Sequence, residues 1–279
     1  MTGHTHPSTE PGFSQVPSDV SRRRPASKLL FIGVLLLGGG GLLLLRPGAP
    51  EGSDASVEDG DAMLGVAVAV PSEIGLEDMG SLGAKLASAD PQTRRIAAAA
   101  LATNAEQARS LASELRKALH DTDGVVCAHA AHAVWNLERD SAAVLRLAEL
   151  LRSGGDDVRR LAAYLLGNIG PGAGSALPSL RWEQQYNPGP LRLYAAEAIA
   201  RIDLSDRPAV DTLLAGLRSG DADQRALAAF ALGNVSDDHA RRVIPVLRAA
   251  VHDQDLRVRT AAEVALSCLV PGTLAGVER

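Results

Sequence analysis

One register recurs six times along this chain, and no other feature constrains its fold as much. The clearest copy is Asp157-Val158-Arg159-Arg160-Leu161-Ala162-Ala163-Tyr164-Leu165-Leu166-Gly167-Asn168-Ile169-Gly170. With Arg159 as the reference, the equivalent residues are Arg94, Cys127, Arg192, Arg225 and Arg259, at successive intervals of 33, 32, 33, 33 and 34 residues. A unit of that length holds two helices and a turn. It cannot bury an apolar face alone, so its copies must stack.

The residue types within the register say how they stack. Three places after the reference stands Ala in every copy: Ala97, Ala130, Ala162, Ala195, Ala228 and Ala262. The next place is also Ala, except for Glu263 in the sixth copy. Seven places after the reference a larger apolar residue recurs as Leu101, Val134, Leu166, Ile199, Leu232 and Leu266. Small side chains at fixed places let neighbouring helices approach to the short end of the usual spacing of about 8–10 Å, and the larger ones fill the interlayer space. Upstream, Leu82 with Leu86, Leu115 with Leu119, Leu147 with Leu151, Leu213 with Leu217 and Leu247 with Val251 mark one face of a preceding helix. Between the two helices, Asp90, Asp123, Asp221 and Asp255 stand four before the reference, and Asp156 stands three before it. Aspartate there can cap the second helix and meet a neighbouring arginine.

Composition agrees with a stack. Aromatic residues make up 3% of the 279, too few for a globular core built around rings, whereas an array buries a thin continuous core between layers. Net charge is −5, but residues 75–279 carry 23 Lys plus Arg against 25 Asp plus Glu, so the repeat region is nearly neutral. A phosphate-gripping domain would concentrate positive charge, and no nucleic-acid partner is expected. Two cysteines, Cys127 and Cys268, exclude a disulfide-stapled scaffold. Four layers, about 40 Å, would separate them, too far to bond to each other. Both read as buried free thiols.

The N-terminal part reads differently. Residues 1–28 are rich in Pro, Ser and Thr and end in Arg22, Arg23, Arg24 and Lys28, a disordered basic leader. Leu29 to Leu45 follows with seventeen residues free of any charged or polar side chain. As a helix it would span about 26 Å, the short end of a bilayer crossing, and it is expected to be a transmembrane helix in spite of Gly38 to Gly41. Cations precede it, while after Arg46 come Glu51, Asp54, Glu58, Asp59 and Asp61, which puts the N-terminus in the cytoplasm and the repeats outside it. A secreted form after signal cleavage is the alternative, although no small-x-small cleavage site stands out. Residues 46–74 read as an acidic flexible linker, 75–270 as the solenoid and 271–279 as a tail.

The repeat resembles HEAT repeats, in particular the short bacterial kind called PBS-lyase HEAT-like repeats, whose second helix typically reads Val-Arg-x-x-Ala-Ala-x-Ala-Leu-Gly. The resemblance covers residues 75–270. It implies an all-α solenoid of about six helix pairs with an armadillo-type fold, second helices along the concave face, and a ladder of Asp and Arg joining the layers. Cys127 in the second copy and Asn187-Pro188-Gly189-Pro190 in the fourth depart from that ladder. Some related proteins are lyases that attach bilins to light-harvesting proteins, so a lyase or lyase accessory is the alternative function that the resemblance implies.

Candidate chemistry is sparse. Cys127, His129 and His132 share a helix, but His129 takes a place held by Ile96, Leu161, Tyr194 and Leu227, which makes it a packing residue rather than a metal ligand. Asp237-Asp238-His239 has no nucleophile to activate. Gly170-Pro171-Gly172-Ala173-Gly174 lacks the lysine of a phosphate loop and reads as a flexible turn. No catalytic residue, cofactor or metal is expected. One, five and nine places after the reference runs a mixed row that should face the concave side: His132 and Asn136, Arg160, Tyr164 and Asn168, Glu197 and Arg201, Phe230 and Asn234. Aromatic, amide and charged groups together suit a groove for a protein or peptide. Trp182 and Tyr186, just before the proline turn, join it as a contact surface, unless Trp182 plugs the gap that the turn leaves. The expected function is a non-catalytic protein-binding scaffold in the cytoplasmic membrane.

Overall fold

The computed structural model describes residues 35–37, 41–43, 79–104 and 107–270. Among them are twelve α-helices in six consecutive pairs: α1 (Met79–Leu86) with α2 (Pro91–Thr103), α3 (Ala112–Ala118) with α4 (Gly124–Glu138), α5 (Ser141–Ser153) with α6 (Asp156–Ile169), α7 (Leu177–Tyr186) with α8 (Leu191–Ile202), α9 (Arg207–Gly216) with α10 (Ala222–Leu232), and α11 (Asp237–Ala250) with α12 (Leu256–Leu269). Short 3-10 segments, Gln107–Leu111 and Gly170–Ala176, precede α3 and α7.

Aspartate starts most of the even helices as the register predicts. Asp90 accepts from the N–H groups of Gln92 and Thr93, Asp123 from Val125 and Val126, Asp221 from Asp223, and Asp255 from Arg257. Each satisfies donors that the first turn leaves open. The third layer differs from expectation: Gly155 is the N-cap of α6, and Asp156 lies inside the first turn, where it pairs with Arg159 at 3.4 Å. Pro190 starts α8 with no side-chain cap.

Packing follows the small and large positions. Ala97, Ala130, Ala162, Ala195, Ala228 and Ala262 are fully buried, as are Leu101, Leu166, Ile199 and Leu232. Gly167 and Gly233 bring the even helices closest: a methyl group added to Gly167 would lie 3.2 Å from Ala198 Cα, and one on Gly233 2.8 Å from Ala265 Cα. Odd helices of neighbouring layers, held apart by leucines, touch only sparsely. Layers tight on one side and open on the other are wedges, so the stack curves with the even helices inside. Glu263, the one exception in its row, is exposed on α12, with no further layer described to cover it. Leu266 and Val251 are likewise only half-buried there.

The arginine ladder forms at alternate junctions. Arg94 holds Asp121 of the next layer through two bonds of 2.8 and 3.0 Å, Arg225 holds Asp253 through two of 2.9 Å, and Arg159 reaches the fully buried Glu183. Arg94 and Arg225 also donate to carbonyls in the turn of their own helix pair, Ser88 with Ala89 and Ser219 with Gly220. These three junctions are also the ones where even helices pack most intimately: α2 on α4, α6 on α8, α10 on α12. At Cys127 the ladder runs backwards: Arg146, from α5, donates to Leu119 O at 2.9 Å and to the Cys127 sulfur at 3.6 Å. Burial pushes that thiol's pKa up, against the pull of Arg146. In layer four Arg192 is exposed, and Arg181 from α7 bonds Asp203 and Asp206 instead. Arginine is placed by the junction, not by the repeat alone.

The expected flexible turn at Gly170 to Gly174 is instead packed. A methyl on Gly172 would meet the Trp135 ring at 2.3 Å, and Gly170 adopts φ +69, which glycine tolerates best. Cys268 differs as well, being exposed rather than buried, while Cys127 is buried, and both are free. Of the apolar run, residues 35–37 and 41–43 form a short antiparallel pair with Leu35 opposite Leu43, not the continuous helix expected over 29–45. Four consecutive glycines weigh against a helix at roughly 1 kcal/mol each relative to alanine. No helix among the described residues is long and apolar enough to cross a membrane. The leader, the linker of residues 46–74 and the tail of 271–279 lie outside the described residues.

Candidate functional site: the inner helix row

The inner surface of the stack is the row of even helices. Their alanines are buried between layers, so only the places one, two, five and nine after the reference can look outward. The structure covers the first of these where it is small or apolar (Ala128, Leu193, Ala226) and leaves Arg160 half-exposed. At the fifth place His132 and Phe230 are half-buried and Tyr164 is 38% exposed. At the ninth, Asn136, Asn168 and Arg201 are half-exposed and Asn234 is exposed. Eight of the expected contact residues therefore reach one face. Asn136, Asn168 and Tyr164 spend no side-chain hydrogen bond on any described residue, whereas Asn234 donates to Glu197 at 3.2 Å.

Glu197 does not reach the surface. It is 4% exposed, under Asn234 of the next layer and beside Arg201, whose guanidinium is 3.6 Å away. Burial raises the pKa of its carboxyl, and Arg201 and Asn234 oppose the rise only in part. Arg201 lies over α6, where its Cδ would be 3.6 Å from a methyl on Gly167, so that glycine lets the arginine stem lie flat between layers. Arg160 is held by Asp157 one turn back. The arginines of the row are thus already partnered, and the row is close to neutral.

Tyr194, at the place two after the reference that the register assigns to packing, shares this helix face. It is half-buried, burial pushes its phenol up, and Arg160 and Glu197 act on it electrically, which places it between α6 and α8. The signal was the i, i+3, i+7 relation of the second, fifth and ninth places, which share a helix face as much as i, i+4, i+8 does. Three aromatic rings, Tyr164, Tyr194 and Phe230, then stand on three successive layers. In layer two, His129 and His132 are both depressed to about 4 by burial and stay neutral at ordinary pH. His129 Nε2 is buried and finds no partner, and no cluster among the described residues could hold a metal ion. Past the end of α4, Arg139 lies 5.6 Å from the Trp135 ring centroid.

Trp182 and Tyr186 are elsewhere. They are on α7, an outer helix, with 54% and 60% exposure and ring centroids 5.5 Å apart. Trp182 therefore plugs nothing, and the pair does not share the inner face with the rest of the row.

The HEAT-repeat family model matches residues 81–171 and 184–267. The chain belongs to the HEAT-repeat family. The break between the two matches falls on the 3-10 segment and the first part of α7, where the fourth HEAT layer departs from its register. No curated protein matches the chain in sequence. Among solved structures, an engineered protein is similar at 23% identity and a TM-score of 0.45, over 70% of this chain and 97% of its own. The complex of CpcE and CpcF of phycocyanin lyase from Nostoc sp. gives 17%, 0.43, 79% and 100% for the same quantities, and a designed armadillo repeat protein in complex with peptide (KR)4 gives 20%, 0.43, 70% and 100%. Likeness at this level says nothing of ligands.

Proposed function

We propose that this HEAT solenoid is a non-catalytic scaffold that binds an extended protein segment along its inner helix row. The observation that carries the reading is the unspent hydrogen-bonding capacity of Asn136 and Asn168 on the same inner row as the rings of Tyr164, Tyr194 and Phe230. A carboxamide offers a donor and an acceptor together, which is what a peptide backbone needs, and aromatic faces between layers take apolar or planar side chains. Neutral surroundings favour a ligand without large net charge. Glu197 is held by Arg201 and Asn234 on the same row, and its carboxyl acts electrically on Tyr194 three residues before it.

The solenoid is anchored in the cytoplasmic membrane through residues 29–45 and lies outside the cytoplasm. What supports this is the seventeen-residue apolar run with cations before it and acids after it. An open two-strand pair leaves backbone groups unmet, each of which costs several kcal/mol in hydrocarbon, so a bilayer would favour the helix there.

Selection of linear peptides from a random library on the full chain tests the binding reading. Peptides should be recovered whose binding falls at least tenfold in Asn168→Ala and Tyr164→Ala with far-ultraviolet circular dichroism unchanged, and is indifferent to Trp182→Ala. Binders insensitive to both inner-row substitutions would overturn the proposal.

A further inference from the structure

The outer edge of layer four is unlike that of any other layer. Elsewhere an aspartate stands in the turn or opens the even helix, as Asp156 does in layer three, but Asn187-Pro188-Gly189-Pro190 and the Leu191 that follows carry no acid. On α7 Trp182 and Tyr186 are exposed together with Arg181 and Gln185, and the two rings are tilted by 43° and in contact. Arg152 in the last turn of α5 and Arg218 just after α9 stand seven before the reference, the place that Gln185 takes next to Tyr186 in layer four, and Arg192 is at the start of α8. All three are exposed and make no ion pair among the described residues. The acids nearby are already engaged: Glu149 with Arg146, Asp156 with Arg159, Asp203 and Asp206 with Arg181, Asp223 with Arg257, while Asp221 caps α10. The charge left open at this edge is cationic, and the apolar surface at its centre is amphipathic.

We propose that this edge rests on an anionic lipid surface, with Trp182 and Tyr186 at headgroup depth and Arg152, Arg192 and Arg218 over lipid phosphates. Tryptophan and tyrosine prefer that boundary because each has an apolar body and a polar tip, and each arginine near an anionic leaflet adds about fivefold to partitioning. Two rings and three cations are too few to hold a free protein on a membrane. They suffice if the chain is already tethered, which raises the local concentration, and to that extent the inference rests on the anchor of residues 29–45. Residues 75–279 carry 23 Lys plus Arg against 25 Asp plus Glu, without the excess of positive charge that gripping a nucleic-acid backbone takes, which favours a lipid surface over nucleic acid. The inner row faces away and remains open to its ligand.

Two tryptophans make the test direct, since Trp135 is only 9% exposed and Trp182 is the difference between wild type and Trp182→Phe. The full chain is reconstituted in phosphatidylcholine vesicles, with and without 30% phosphatidylglycerol, using brominated or ordinary acyl chains. Bromine should quench Trp182 emission at least twofold in the anionic vesicles, less in phosphatidylcholine alone, and less in an Arg152→Glu/Arg192→Glu variant. Acrylamide access to Trp182 should fall in parallel. A chain that floats with the vesicles while Trp182 is unquenched and open to acrylamide refutes the lipid surface and leaves the anchor standing. A chain that does not float at all refutes both. Protection of Trp182 by a single-stranded oligonucleotide in place of vesicles would also overturn the proposal.

Discussion

Acid should unfold this solenoid in a pH range where few proteins of its charge would respond, and two histidines set that range. His129 and His132 are held at about 4 against 6.5 in an unfolded chain, chiefly because burial penalises the imidazolium, with His132 adding repulsion at His129 and Arg139 at His132. Between pH 6.5 and 4 the unfolded state therefore binds protons that the folded state refuses, and stability falls as pH falls. Each full shift is worth about 3 kcal/mol, so the pair together removes up to roughly 6 kcal/mol, comparable with the whole stability of an ordinary domain. Aspartates are not responsible in this window. Asp255 is held at about 2 by the Arg257 guanidinium, and Asp90, Asp123 and Asp253 are also below their usual value, so their contributions are lost only as pH falls below about 4. Glu197 acts in the opposite sense: its folded pKa is raised, so its share of stability is present in acid and lost as pH rises through that value. Urea denaturation followed by circular dichroism from pH 7.5 to 4.5 measures the slope. His129→Leu, which restores the leucine that Leu161 and Leu227 carry at this place, should remove about half of it, and Glu197→Gln should make it steeper. Parallel curves for wild type and His129→Leu would refute the reasoning.

Other outcomes follow from single contacts. Gly172→Ala should destabilise by about 1–3 kcal/mol, because its methyl would strike the Trp135 ring, while Gly174→Ala in the same turn, with nothing within 4 Å, should change stability by less than about 0.5 kcal/mol; tryptophan emission and urea midpoints read both. Glu183→Ala should cost about 3 kcal/mol in urea unfolding by leaving the Arg159 guanidinium without its buried carboxylate, whereas Arg192→Met, at an exposed place, should leave the midpoint unchanged. Glu263→Ala on the uncovered face of α12 should leave the melting temperature unchanged but promote self-association, measurable by sedimentation, because a polar outer face keeps a repeat array from stacking on itself.

Much of the fold could be read because stacking imposes a rule on every copy. The alanine rows, the large apolar row and the aspartate caps each answer one physical need, so six copies state it six times. Where the structure departs, the need is local. Gly155 caps α6 because the third turn places its aspartate one residue late, inside the helix. The ladder alternates because its arginine must find a carboxylate in the next layer: Asp121 and Asp253 share one place, six before the reference, that only the second and sixth copies fill with an acid, and Glu183 stands nine before it. No alignment of the copies on their second helices would have paired Arg159 with Glu183, which lies in the middle of α7.

The inner helix row was legible in its period but not in its depth. Counting by fours from the residue after the reference gathers Glu197 with Tyr164 and Phe230, yet the α8–α10 junction sinks Glu197 under Asn234 and leaves Tyr194, three residues earlier, half-buried. Period alone cannot separate these, since both lie within one helix face about 100° wide. Chemistry can: a lone carboxylate with an arginine four residues later is a pair that tolerates burial, and a tyrosine two places after the reference keeps its hydroxyl wet only at the rim. The same logic removes Trp182 and Tyr186 from the inner groove. They belong to the first helix of their pair, and first helices line the outer side of a stack that small residues have drawn together along the second. A ligand in the inner row and a surface under the outer edge can then be engaged together, because the two faces are separated by the thickness of a helix pair.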